Sequence, residues 1–310
     1  MADSFYVPAG DGKWLATVHT TGPWDPTAQH GGPPSALLGR VMQRCEPRED
    51  MMVARFTCEI LSAIPVGEIG VRARLARPGR SVQLVEGTIT AGGREVAWAR
   101  AWRVLRTQSA SSSPAPGDGS AAALPPPSSP APGDGSSVPA PSDGSAAALP
   151  PPAAALPPLV GPGLPSPPGL PGQEAQLAGD GWVDGYLSAI EWRVARGVFG
   201  ESGPAAMWGR MRYPLLPDEE PGPLERVLAI ADSGNGVSSE LDLRRWHFIN
   251  PELTVHLYRE AAGEWVCLDA QTTIAAGGTG LATSVLSDLD GPVGVGAQSL
   301  LIAPRDRGPA

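Results

Sequence analysis

Two places in this sequence combine residue types and spacing that could do chemistry. Leu224, Val227, Leu228 and Ala231 recur at helical spacing and run straight into Asp232-Ser233-Gly234-Asn235-Gly236. A carboxylate closing an apolar stripe is partly desolvated, which raises its basicity and makes it a candidate for activating a water. Beside Gly234 and Gly236 the same aspartate also suits a turn or cap. The second place is His30-Gly31-Gly32, which precedes Pro33-Pro34 and a helical run. A helix start leaves backbone N–H groups without intrahelical partners, a natural site for an oxyanion or a carbonyl oxygen. The glycines alone would equally let the helix enter a tight space. Gln298, in a strand-like run between Gly296 and Leu300, carries an amide able to orient a carboxylate or a water, or simply to face solvent. Asn250 precedes Pro251, a pair that commonly begins a turn.

Other chemistries lack their residues. Cys45, Cys58 and Cys267 form no CxxC pair, and His19, His30, His247 and His256 show no zinc spacing. The cysteines read as reduced, buried thiols of a cytoplasmic protein. Ser202 and Ser233 lack the GxSxG setting of a nucleophile elbow. Gly278-Thr279-Gly280 lacks a third glycine, so it is no dinucleotide fingerprint. Asp232-Ser233-Gly234-Asn235-Gly236 has glycine at the third ligand position of a calcium loop. Lys13 is the only lysine, which removes the phosphate-loop motif and a Schiff-base lysine in the second half. A formal charge of −9 argues against a nucleic-acid partner held by phosphate attraction. Arg72, Arg74, Arg77 and Arg80 read as a solvated strand face before a phosphate site, and Trp98, Trp102 and Trp265 as interface or core aromatics. No basic and apolar leader opens the chain, and no apolar run is long enough to span a membrane.

The elements that must position these residues come in two sets. In the first half, two prolines just inside a helix start lead into Ser35–Cys45, with Leu37, Val41 and Cys45 on one face. Strand-like runs follow at Arg55–Leu61, Gly70–Leu75, Ser81–Thr90 and Glu95–Leu105. In the last of them Ala97, Ala99 and Ala101 share one parity, a small-residue face on which a helix can lie closely. The second half repeats the plan: strands at Leu187–Val194 and Ala205–Arg212, the stripe ending at Asp232, then strands at Leu253–Tyr258, Glu264–Ile274, Gly280–Ser287 and Gly294–Ile302. Strand, helix and several strands, twice over, is an α+β duplication.

Between the halves lies a Pro/Ala/Ser-rich tract in which DGSAAALPPP begins at Asp118 and again at Asp143. It has almost nothing with which to bury a core and reads as a disordered tether. The expected organisation is therefore 1–107, a linker over 108–178, and 179–306.

The motifs of both halves resemble one family. HGGPPSALLGRV is similar to the opening of the hotdog helix in bacterial type II acyl-CoA thioesterases and their actinobacterial relatives, and GRSVQLVEGTITAGGREVAWARA to the strands after it. AIADSGNGVSSELD, FINPELTVHLYR, GEWVCLDAQT and GTGLATSVLSDLDGPVGVGAQSLL resemble the same family through the second half. The resemblance implies a double hotdog: two antiparallel sheets, each wrapped around a central helix, paired into one pseudo-dimer with the site between the units. It also implies catalytic roles for Asp232 and Gln298 in holding and activating a hydrolytic water. Asn250 falls in the slot where the family has a hydroxyl. His30, Gly31 and Gly32 are the expected substrate-binding residues. The implied activity is hydrolysis of an acyl-CoA thioester, with no metal and no organic cofactor; the alternatives are a non-catalytic acyl-thioester or lipid-binding hotdog and a hotdog hydratase or dehydratase. For the last, no histidine accompanies Asp232 on its helix, and His247 and His256 lie downstream. A homo-oligomer is expected from the resemblance alone.

Overall fold

The first helix, α1 (Gly32–Arg44), begins one residue after Gly31, and its two prolines occupy the first turn, where a missing N–H breaks no helical bond. Ala36, Leu37, Leu38 and Met42 bury its inner face. The computed structural model describes residues 3–23, 25–106, 163–175, 185–198, 200–242 and 245–305. These fall in one unit.

Around α1 run β1 (Tyr6–Gly10), β2 (Lys13–Ala16), β3 (Met51–Ile60), β4 (Glu68–Arg77), β5 (Val82–Ala91) and β6 (Arg94–Leu105). The second half contributes a single turn of helix, α2 (Tyr186–Ala189), then β7 (Ile190–Arg196), β8 (Ala205–Met211), α3 (Pro223–Ala231) and a further turn, α4 (Gly234–Val237). It ends with β9 (Trp246–Ile249), β10 (Glu252–Leu257), β11 (Val266–Ile274), β12 (Thr279–Asp288) and β13 (Gly291–Pro304).

All described strands join one antiparallel sheet in the order β1-β2-β4-β5-β6-β3-β10-β13-β12-β11-β8-β7, with β9 added on β13. The halves meet at its centre, where β3 pairs with β10 and Thr57 faces Thr254. The resemblance implies two sheets paired edge to edge, and the described strands form one continuous sheet. Left apart, β3 and β10 would each expose a row of unpaired N–H and C=O groups, and pairing satisfies both. The strand order on either side of this seam is the same, with β1, β2, β4, β5, β6 and β3 matched by β7, β8, β11, β12, β13 and β10.

Both helices lie on one face of the sheet. Ala97, Ala99 and Ala101 of β6 are fully covered on that side, as their alternation predicts. Trp98 lies on the opposite face, with the Arg100 guanidinium 4.5 Å above its ring. Helices α1 and α3 pack directly on each other: a Cβ at Gly39 would sit 2.6 Å from Leu228 Cδ1. They run antiparallel, since the start of α1 meets Asp232 at the end of α3, while Arg40 reaches Glu225 at the start of α3.

Residues 163–175 fall inside the tether as composition draws it, yet they lie against β7 and β8. Trp208 Nε1 donates to Pro168 O at 3.1 Å, Arg193 Nη1 to Pro171 O at 2.8 Å, and the Ala175 N–H to Trp192 O at 2.7 Å. Leu170 packs beside Trp208, Trp265 and Cys267. A proline-rich segment has few backbone bonds of its own, so the Pro168 and Pro171 carbonyls are free to accept the two side-chain donors. The rest of the tether lies outside the described residues.

Candidate active site where two helix ends meet

Helix α3 is capped at its C-terminus by Asp232, whose side chain is buried. Three groups from three elements converge on it. Asn250, in the turn between β9 and β10, donates Nδ2–H to Asp232 Oδ1 at 2.7 Å and also reaches Glu252 O at 3.3 Å. Gln298 of β13 donates Nε2–H to Asp232 O at 2.9 Å and to Oδ1 at 3.3 Å, while its Oε1 accepts the Asn235 N–H at 3.1 Å. With both ends engaged, the Gln298 amide cannot flip, and it braces the end of α3 against the sheet. The third is the backbone N–H of Gly31, at the start of α1, which favours the charged form of the Asp232 carboxylate.

Gly31 is required there by space. A Cβ on it would sit 2.6 Å from Asp232 Oδ2, and one on Gly32 would sit 2.2 Å from Ala229 O. His30 completes the group: its Nδ1 is 3.3 Å from Asp232 Oδ2 and accepts the Gly32 N–H at 3.1 Å. Tyr186 of α2 stacks on the imidazole, with ring centres 3.8 Å apart and planes 10° from parallel. The Tyr186 hydroxyl donates to Ala229 O at 2.7 Å and contacts Ser233 Oγ at 2.9 Å.

The electrostatics follow from burial. Loss of water raises the Asp232 pKa to about 7, with Glu252 adding to the rise, and the hydrogen bonds from Asn250, Gln298 and Gly31 oppose it. Burial lowers His30 to about 3, so its ring is neutral at physiological pH. It also raises the Cys58 thiol to about 12 and the Tyr186 phenol far above its usual range, so neither ionises near neutrality. The site thus contains one group, Asp232, that changes charge near pH 7.

All six residues singled out in the sequence, Asp232, Gln298, Asn250, His30, Gly31 and Gly32, come together within this cluster. Two readings change. The N–H groups of Gly31 and Gly32 are not free for a ligand: one serves Asp232 and the other His30. A histidine does stand beside Asp232, and it is His30 of the first half; His247 lies on β9 and His256 on β10, in register with Val295 and Arg55. Tyr186 went unnoticed, because a lone tyrosine ahead of a strand carries no sequence signal for a stack on a histidine more than 150 positions away. Among the described residues no group of His, Cys, Asp and Glu side chains is arranged to hold a metal ion.

Residues 20–104 match the acyl-CoA thioesterase N-terminal domain, and residues 161–302 match the acyl-CoA thioesterase C-terminal domain. The chain belongs to the acyl-CoA thioesterase family. It is a thioester hydrolase. Solved structures give the same fold for this thioesterase at low sequence identity. A proposed thioesterase II from Thermobifida fusca is 15% identical with a TM-score of 0.62, covering 96% of this chain and 95% of that one. A conserved hot dog fold protein of unknown function from Alicyclobacillus acidocaldarius is 14% identical with a TM-score of 0.60, covering 97% and 96%. An acyl-CoA thioesterase II from Mycobacterium marinum is 13% identical with a TM-score of 0.57, covering 96% and 94%. These likenesses establish the hotdog fold. No curated protein matches the chain. Among the described residues of this thioesterase, no helix is long and apolar enough to cross a membrane.

Proposed function

We propose that this thioesterase hydrolyses acyl-CoA by direct attack of a water that Asp232 deprotonates. The water oxygen bonds to the thioester carbonyl carbon as its proton passes to Asp232. The C–S bond then breaks, and the departing sulfur receives that proton, leaving a free acid and a thiol. A thiolate leaves readily, so no covalent acyl-enzyme is needed, and the cluster offers no ionised serine or cysteine to form one. Asn250 and Gln298 orient the carboxylate through Oδ1, so the proton is taken up at Oδ2, which lies 3.3 Å from His30 Nδ1.

The observation that supports this reading best is a buried carboxyl, held from three elements, whose proton affinity sits near neutrality. A base so poised accepts a proton from water and returns it to sulfur with little loss at either step. The test is hydrolysis of a panel of acyl-CoA esters by the full chain and by Asp232→Asn. Loss of turnover on the order of a thousandfold, with binding kept, is expected. Full turnover by the variant would sink the assignment. Tight acyl-CoA binding without turnover by the unaltered chain would favour the non-catalytic binder.

We infer further that residues 1–107 and 179–306 are two hotdog units forming a pseudo-dimer within one chain, joined by the linker over 108–178. The matched strand order about the β3–β10 seam and the antiparallel pair α1 and α3 support this reading.

A further inference from the structure

Hydrolysis of a thioester places negative charge on the carbonyl oxygen, and a donor must meet it. The start of α1 does not supply one. The Gly31 N–H goes to Asp232, the Gly32 N–H goes to His30 Nδ1, Pro33 and Pro34 have none, and the Ser35 N–H goes to Gly31 O at 3.1 Å. The amides of Asn250 and Gln298 are spent on Asp232, Glu252 O and Asn235.

His30 answers the shortage. Its Nδ1 accepts the Gly32 N–H at 3.1 Å and stands 3.3 Å from Asp232 Oδ2, which donates to it when protonated, so that nitrogen is bare and the proton of the neutral ring sits on Nε2. The described residues offer no acceptor for Nε2–H, and the side chain keeps 12% of its surface open. The ring is fixed on its face by Tyr186, which is itself tied to the end of α3 through Ala229 O and Ser233 Oγ. We propose that His30 Nε2–H is the donor that meets the thioester carbonyl oxygen as it becomes an oxyanion, and that Tyr186 is the positioning residue that holds the imidazole for this task. The unpaired donor of the helix start is thus relayed through the ring: Gly32 N–H enters at Nδ1, and Nε2–H leaves toward the substrate. Burial keeps the ring neutral, so it polarises the carbonyl without changing its own charge. This inference rests on the water-attack reading for its place in the reaction, but its structural content stands apart from Asp232.

Nitrogen-15 NMR of the full, unaltered chain reads the tautomer directly. An unprotonated Nδ1 and a protonated Nε2 at pH 7 are expected; the reverse tautomer, or a doubly protonated ring, would overturn the proposal. Kinetics of acyl-CoA hydrolysis supply the second reading. His30→Phe keeps the stacking partner and removes the donor, and a fall in kcat on the order of a hundredfold with KM little changed is expected. His30→Gln restores an N–H and should recover part of that loss. Tyr186→Phe, which keeps the ring, should stay within a few-fold, whereas Tyr186→Leu should lose on the order of tenfold in kcat. Full kcat in His30→Phe, with Asp232→Asn inactive, would overturn this inference alone. Full activity in Asp232→Asn, with His30→Phe impaired, would overturn the water-activation reading and leave the His30 donor standing.

Discussion

Asn250 holds Asp232 Oδ1 at 2.7 Å from a turn that follows β9, so an amide meets the carboxylate from the slot where the family resemblance has a hydroxyl. The amide reaches the carboxylate and anchors itself on Glu252 O with its other hydrogen. Its donor favours the charged form of Asp232 against the desolvation that disfavours it. A base of this kind works only when ionised, so kcat/KM should rise with pH through a limb near 7 and level off above it. Asn250→Ala removes one stabilising donor, and the limb should move up by about one pH unit. A pH–rate profile of both proteins checks this, and an unmoved limb would show that Asn250 does not act on Asp232.

The same burial makes Asp232 costly to the fold. Its pKa is raised to about 7 in the folded chain, above the unfolded value of about 3.9, so the native state holds the proton more tightly. Stability from this group is therefore full at acid pH and is lost as pH rises from roughly 4 to 7. Asp232→Asn cannot ionise. It should melt higher than the parent at pH 8, by an amount bounded at about 4 kcal/mol, and the gap should close toward pH 4. Calorimetry of both proteins across that range tests the sign. A less stable variant at pH 8 would mean that the charged carboxylate is paired better than its burial indicates.

Gly31 and Gly32 are neighbours with different duties, and alanine should separate them. At Gly32 the added methyl meets backbone, Ala229 O at 2.2 Å, so α1 and α3 must move apart. Overpacking of this kind costs roughly 1–3 kcal/mol, and Gly32→Ala should lower the melting temperature. At Gly31 the methyl meets the movable Asp232 carboxylate at 2.6 Å. Gly31→Ala should keep most of the stability and lose activity on the order of a hundredfold, because a displaced base is misaligned. Equal effects on stability and rate in both variants would contradict the division.

Local pattern made much of the fold legible. The alternation of Ala97, Ala99 and Ala101 gave the helix-facing side of β6, and the prolines after Gly32 gave the start of α1, because both signals are written in neighbouring residues. The short β9 escaped: Trp246–Ile249 is only four residues, followed by Asn250-Pro251, and its pairing with β13 is decided by partners more than 50 positions away. The site was legible through Asp232, Gln298 and Asn250 because motif resemblance placed them. How the donors of Gly31 and Gly32 are spent was not legible, since it depends on where Asp232 of the other half arrives and on how the His30 ring turns back on the helix start. The same holds for Tyr186, whose role exists only once α2 lies beside His30.

At the opposite end of the helix pair, Arg40 of α1 and Glu225 of α3 form a buried ion pair, Nη1 to Oε1 at 3.0 Å. Arg40 also bonds to Glu219, and Glu225 Oε2 accepts the Gly222 N–H at 3.1 Å, so each partner has a second anchor. Arg40→Leu leaves Glu225 buried without a counterion, at a cost of about 3–5 kcal/mol, and should melt well below the parent. Glu225→Leu leaves Arg40 its ion pair with Glu219 and should melt lower by less. Removing both returns most of that loss, because no uncompensated charge remains, although the cap on α3 goes with Glu225. The Asp232 cluster lies at the other end of the antiparallel helices, so the doubly substituted chain, assayed below its melting temperature, should keep its kcat within a few-fold. A double-mutant cycle on melting temperature, read alongside kcat, decides both points. Additive losses would mean that the pair does not couple the halves, and a collapse of kcat in the folded double variant would mean that the two helix ends are not independent.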